Sequence, residues 1–115
     1  MKLWIDDVRE APEGYIWLKS SNEALRFIMA HGSEIELIDL DHDAGDYANM
    51  GGDYIRVLDE LERKSHIVNR VNGATFHNFW FAKCQEIKFR LHSANPVGVQ
   101  KMRMIIQRNG WTEVF

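Results

Sequence analysis

The stretch Leu40-Asp41-His42-Asp43-Ala44-Gly45 constrains this chain more than any other. An apolar run, Ile35 to Leu40, leads straight into it and has the length and bounds of a buried strand. Acids and an imidazole therefore stand where a strand leaves its sheet. In open α/β sheets, ligands bind outside that carboxyl edge. Bunched carboxylates repel one another, and a cation, a phosphate–metal pair or a proton transfer compensates them. Alone, Asp-x-Asp is also the pattern of a solvated acidic turn, so two further stretches decide.

The first is near the N-terminus. Lys2 to Ile5 is a short apolar run ending in Asp6-Asp7. Paired acids at a strand end make the hard, oxygen-rich corner that Mg²⁺ prefers; a turn acid beside a helix-capping acid is the plainer alternative. Arg9 can clamp a phosphate bidentately or form a surface ion pair. Tyr15 to Leu18 reads as a second strand. Ser20 and Glu23 form a capping box for a helix whose stripe is Ala24, Leu25, Phe27 and Ile28. Asp39, inside the third run, either faces the site or finds backbone partners, and the second is expected.

Asp53 is expected to cap a second helix with Tyr54, Ile55, Leu58 and Leu61 inward. Asp59–Arg63 and Glu60–Lys64 are its expected i,i+4 pairs. Residues 66–86 are the least determined. Asn72-Gly73 signals a hairpin or closes an extended helix. Phe76, His77, Phe79, Trp80 and Phe81 are expected in the core, with a flap carrying His77 to the site as the alternative. Cys84 reads as a small buried side chain.

The second decisive stretch follows a fourth strand, Ile87 to Leu91. It reads His92-Ser93-Ala94-Asn95-Pro96-Val97-Gly98. Asn95 suits the N-cap and Pro96 the first helical position. Val99, Met102, Ile105 and Ile106 mark the inward face of the helix that follows. Free N–H groups and the helix dipole at its start suit an anion. Ser93 can donate to a phosphate oxygen, His92 can carry a proton, and Gly98 would let a ligand approach. A well-capped helix with incidental His and Ser is the alternative. Trp111 to Phe115 reads as a last strand.

Strands alternating with helices imply a parallel sheet with helices on both faces. If the first, third and fourth strands are neighbours, Asp6, Asp7, Asp41, His42, Asp43, His92 and Ser93 converge at one rim. Metal-assisted chemistry at a phosphoryl group suits that corner. The 115 residues, 45% hydrophobic, supply one core, so a single domain over 1–115 is expected. A formal charge of -3 gives no general attraction to nucleic acid, so no extended nucleic-acid surface is expected. One cysteine excludes an intrachain disulfide. With no membrane-length apolar run and no secretory leader, a cytoplasmic protein is expected.

Three ordered motifs resemble those of cyclic-phosphate-processing receiver domains, relatives of response-regulator receivers. They are Asp6-Asp7-Val8-Arg9-Glu10-Ala11-Pro12-Glu13-Gly14, Leu40 to Gly45, and His92 to Gly98. The resemblance implies a receiver/flavodoxin-like three-layer α/β sandwich with a mainly parallel sheet of about five strands. It also implies action on cyclic phosphates of nucleotides or RNA ends. Ordinary receivers end their last strand in a lysine that holds the phosphoryl group; Thr112 to Phe115 offers none.

The reading that follows is a metal-dependent phosphoesterase. Asp6, Asp7 and Asp41 hold Mg²⁺ or Mn²⁺; His42, His92 and Asp43 do the acid/base work; Ser93, Asn95, Gly98 and Arg9 bind phosphate. The substrate is a phosphorylated small molecule or an RNA end. A signalling receiver phosphorylated on Asp41, or a non-catalytic nucleotide- or partner-binding module, are the alternatives.

Overall fold

A computed structural model describes residues 1–115. Strands β1 (Lys2–Ile5), β2 (Tyr15–Leu18), β3 (Leu37–Leu40), β6 (Lys88–Leu91) and β7 (Thr112–Glu113) form one sheet in the order β2-β1-β3-β6-β7. Every pairing in it is parallel. The second strand is therefore an edge strand, parallel to the first. Helices α1 (Ser21–His31), α2 (Ile55–Ser65), α3 (Phe79–Glu86) and α4 (Pro96–Arg108) connect the strands. Between α2 and α3 an antiparallel hairpin stands apart from the sheet, β4 (Val68–Val71) with β5 (Ala74–His77).

The local signals act as their chemistry dictates. Ser20 caps α1 by accepting from the Glu23 amide at 3.0 Å, and Asn95 caps α4 by accepting from the Gly98 amide at 3.0 Å. Asn72 and Gly73 have φ of 51° and 80°, the left-handed pair a two-residue hairpin turn requires.

Alternation along the strands sorts the side chains. Leu3, Ile5, Ile38, Leu40 and Phe89 are fully buried. They share one cluster with Ile28 of α1, Leu58 and Leu61 of α2, Cys84 of α3, and Met102 and Ile106 of α4. The opposite face carries Lys2, Trp4, Leu37, Asp39, Lys88 and Arg90, none of which joins that cluster.

The sheet flanked by four helices is the receiver/flavodoxin-like α/β architecture expected, with the helices packed on the face that carries this cluster. The topology gives the reason. The helical crossovers β2 to β3, β3 to β6 and β6 to β7 all step the same way across the sheet, so right-handed connection puts all of them on the same side. The only step in the other direction, β1 to β2, has no helix.

Several local expectations change. Tyr54, not Asp53, occupies the α2 N-cap, and no side chain caps it. Arg63 pairs with Glu60 at 2.8 Å, not with Asp59. The aromatic segment is largely outside the core: Phe76, Phe79 and Phe81 are 54%, 52% and 38% exposed, and only Trp80 packs against it. His77 stacks on Phe81, with centroids 3.9 Å apart. Hairpin alternation and a short helix leave no shared apolar face for these rings. Cys84 is buried, and burial pushes its thiol up to about 12.

Candidate active site

Three strand ends build the rim. The ends of β1 and β3 bring Asp6, Asp7 and Asp41 together, with one ligand atom from each within 4.8 Å of the others. Asp6 is fully buried. Its Oδ1 accepts the amides of Val8 and Arg9 at 2.8 and 3.0 Å, and its Oδ2 meets His92 Nε2 at 2.9 Å. Asp7 is partly exposed. Burial, with repulsion from Asp6, Asp41 and Asp46, holds its carboxyl above the usual carboxylate range.

The donor set suits a hard divalent cation: all three donors are carboxylates, and no Lys or Arg side chain pairs with any of them. Gly45 makes room for the group. Its φ is +54°, and a Cβ there would lie 2.2 Å from Asp7 Oδ2. Behind the acids Tyr54 is fully buried and donates to the Lys19 carbonyl at 2.6 Å. Burial, reinforced by Asp7, Asp6, Asp41 and Asp53, pushes its hydroxyl far up, so it stays a neutral donor.

His92 is bound at both ring nitrogens. Nδ1 meets Asp39 Oδ1 at 2.6 Å while Nε2 meets Asp6. Trp4 stacks on the ring at 3.8 Å, and the side chain is 8% exposed. Asp39 is itself fully buried and also accepts from Arg90 at 3.2 Å. Its partners are side chains, not the backbone groups expected of it. Register explains this: Trp4, Asp39 and Arg90 are neighbours on adjacent strands, one row below the acids. An acid at an alternate strand position was the one available sign of that network. Arg9 reaches the rim too, donating to the His92 carbonyl at 2.7 Å.

His42 is arranged differently. Nδ1 faces Asp43 Oδ1 at 2.8 Å, and that bond, with help from Asn95, holds the Asp43 carboxyl below its ordinary range. Asn95 Nδ2 donates to Asp43 at 3.3 and 3.4 Å. With Nδ1 donating to a carboxylate, Nε2 is the nitrogen left for a substrate proton. Gly98 forms the floor under this ring: a Cβ there would lie 2.4 Å from His42 Cγ. So Gly98 meets a protein side chain where a ligand was expected. Ser93 Oγ accepts the Asn95 amide at 3.1 Å. Asp53 Oδ1 accepts the Ala44 amide at 3.0 Å, and Asp53 groups with His42 and Asp43. Nothing in its sequence setting marked it for the rim.

All ten residues singled out from the sequence therefore meet at one edge, as two linked groups: Asp6, Asp7, Asp41, His92 and Arg9, and beside them His42, Asp43, Ser93, Asn95 and Gly98.

A five-stranded parallel sheet in this order, with an acid triad at its carboxyl rim, defines a receiver-like α/β protein. The model of one family matches residues 1–108, and the chain belongs to that family, the cyclic-phosphate processing receiver domains. No curated protein and no solved structure matches the chain. No helix is long and apolar enough to cross a membrane.

Proposed function

We propose that this protein is a metal-dependent enzyme that opens cyclic phosphate esters, with Asp6, Asp7 and Asp41 holding Mg²⁺ or Mn²⁺. The observation that carries the reading is the juxtaposition of the acid triad with an oriented imidazole: His42 follows Asp41 directly, is tethered at Nδ1 by Asp43, and keeps Nε2 free. A bound divalent cation supplies charge neutralisation at the phosphoryl oxygens.

The chain's own residues do the rest. His42 Nε2 accepts the proton of a water as its oxygen bonds phosphorus; one ring P–O bond breaks, and the departing oxygen takes up that same proton from the His42 imidazolium, relayed through solvent. Asp43 fixes the ring's tautomer and orientation, Asn95 fixes Asp43, and Gly98 sets the ring's height. The unpaired Val97 amide, in the first turn of α4, offers an anion donor beside it. His92 has no free ring nitrogen, so its part is to hold Asp6, and Arg9 closes over it.

The test is turnover of a 2′,3′-cyclic phosphate with Mg²⁺ or Mn²⁺ present. Asp41→Asn and His42→Ala should each abolish it, and absence of turnover with every divalent metal refutes the reading. A second reading, a signalling receiver phosphorylated on Asp41, is favoured by the place of that residue at the end of β3 and by the family. It predicts that acetyl phosphate labels wild type but not Asp41→Asn.

A further inference from the structure

The sheet has one face without helices, and that face ends at the acid triad. Register divides it into rows. Lys2, Tyr15, Leu37 and Lys88 form the first; Trp4, Trp17, Asp39 and Arg90 the second. Two residues further along the same strands and on the same face come Asp6, Asp41 and His92, the rim itself. At about 3.3 Å per residue, Lys2 lies roughly 13 Å from Asp6. A parallel sheet is ordinarily covered on both faces; here the loop after β1 covers Trp4, which is buried and donates to the Arg9 carbonyl at 2.8 Å, and the first row with Arg90 is left without a partner.

Its chemistry says which partner. Lys2 and Lys88 are exposed and Arg90 is 46% exposed. Lys19 lies over the Trp17 ring at 4.5 Å, and Lys2 over Tyr15 at 5.8 Å. Both rings are half-buried on the edge strand. Against these four cations the two rows hold one acid, Asp39, buried and tied to Arg90 and His92. Glu36 and Glu86 stand only at the amino margin, where they line a groove of about 440 Å³ with Lys2, Leu37, Lys88 and Val114. In a chain whose net charge is -3, this is a segregated basic and aromatic surface.

We propose that the open face binds single-stranded RNA, holding the two or so nucleotides that precede a terminal phosphate seated at the rim. Cations spaced along the strands meet successive phosphates, and Tyr15 and Trp17 offer π-faces to bases. A second copy of the chain would bring the same cations against each other. This inference rests on the proposed chemistry only for the identity of the terminal group; binding of the strand stands apart from turnover.

The experiment measures affinity of the full chain for a labelled ten-nucleotide oligouridine ending in a 2′,3′-cyclic phosphate, and for uridine 2′,3′-cyclic phosphate. Wild type is compared with the double variant Lys2→Gln/Lys88→Gln, two exposed side chains, and with Tyr15→Ala, whose fold is checked by its melting temperature because the ring packs edge-on against Trp4. The double variant should bind the oligonucleotide about tenfold or more weakly at 0.1 M salt, its log–log salt slope shallower by about 1.4. Tyr15→Ala should weaken the oligonucleotide at least fivefold. The mononucleotide should be unaffected.

Equal oligonucleotide binding by wild type and variants overturns the proposal, as does an equal loss for the mononucleotide. A wild-type dimer in sedimentation that the double variant converts to monomer also overturns it, giving the face to a second copy. Oligonucleotide binding of the expected pattern without turnover keeps the face and removes the enzymatic reading. Turnover of the mononucleotide with indifferent oligonucleotide binding does the reverse.

Discussion

Gly98→Ala isolates the placement of one imidazole. The added Cβ would stand 2.4, 2.6 and 2.7 Å from His42 Cγ, Cδ2 and Nδ1. Ordinary carbon contacts need about 3.5 Å or more, so ring or helix must give by about 1 Å. The ring is the softer partner: its side chain is 13% exposed, whereas Gly98 is buried in the first turn of α4, beside the Asn95 cap. In stability the change is partly offset. Overpacking costs about 1–3 kcal/mol, while Ala gains about 1 kcal/mol over Gly in a helix. In catalysis nothing offsets it, since a misplacement of about 1 Å can cost roughly 100-fold. Chemical denaturation should show a loss of about 0–2 kcal/mol. The His42 ring resonances should shift, and cyclic-phosphate turnover should fall about 100-fold. Unshifted His42 resonances with turnover within twofold of wild type would refute the assignment of Gly98 as the floor under that ring.

Other expectations concern the acids. Gly45→Ala puts a Cβ against Asp7 at a positive φ; Mn²⁺ affinity, read by calorimetric titration, should fall tenfold or more, with about 1–2 kcal/mol of backbone strain. Asp7 has its folded-state carboxyl raised, so its favourable contribution is complete below the unfolded carboxylate range and is lost as pH rises through the raised value. Metal-free Asp7→Asn should therefore melt above wild type at pH 7, with the gap closing near pH 4 and reversing when Mg²⁺ is saturating. Melting curves that run parallel across that range would contradict it. Asp39→Ala strips Arg90 and His92 of their buried carboxylate partner and should cost about 1–3 kcal/mol by urea denaturation; a loss below about 0.5 kcal/mol would mean the network contributes little.

The strand ends were legible because chemistry and periodicity coincide there. Asp6-Asp7, Asp41 to Asp43 and His92 to Gly98 each follow an apolar run, and the sheet order brings those three ends together. The face on which the helices pack was harder to see. It depends on which way successive crossovers step, and periodicity carries no direction. The segment 66–86 was ambiguous because a two-residue turn signal inside short apolar runs fits a hairpin or a helix end equally. Asn78 settles it physically, capping α3 while its amide donates to the carbonyls of Lys64 and Ile67. Asp39 was seen in sequence but given backbone partners, and Asp53 a helix cap; their partners lie 51 to 53 residues away for Asp39 and 9 for Asp53.

The hairpin of β4 and β5 has a practical consequence. Its two ends are pinned together by Asn78, and a Cβ added at Gly73 in its tip would meet nothing. New chain termini or a reporter inserted there would leave the parallel sheet's connectivity and its acidic rim unbroken, giving a permutation point far from the chemistry.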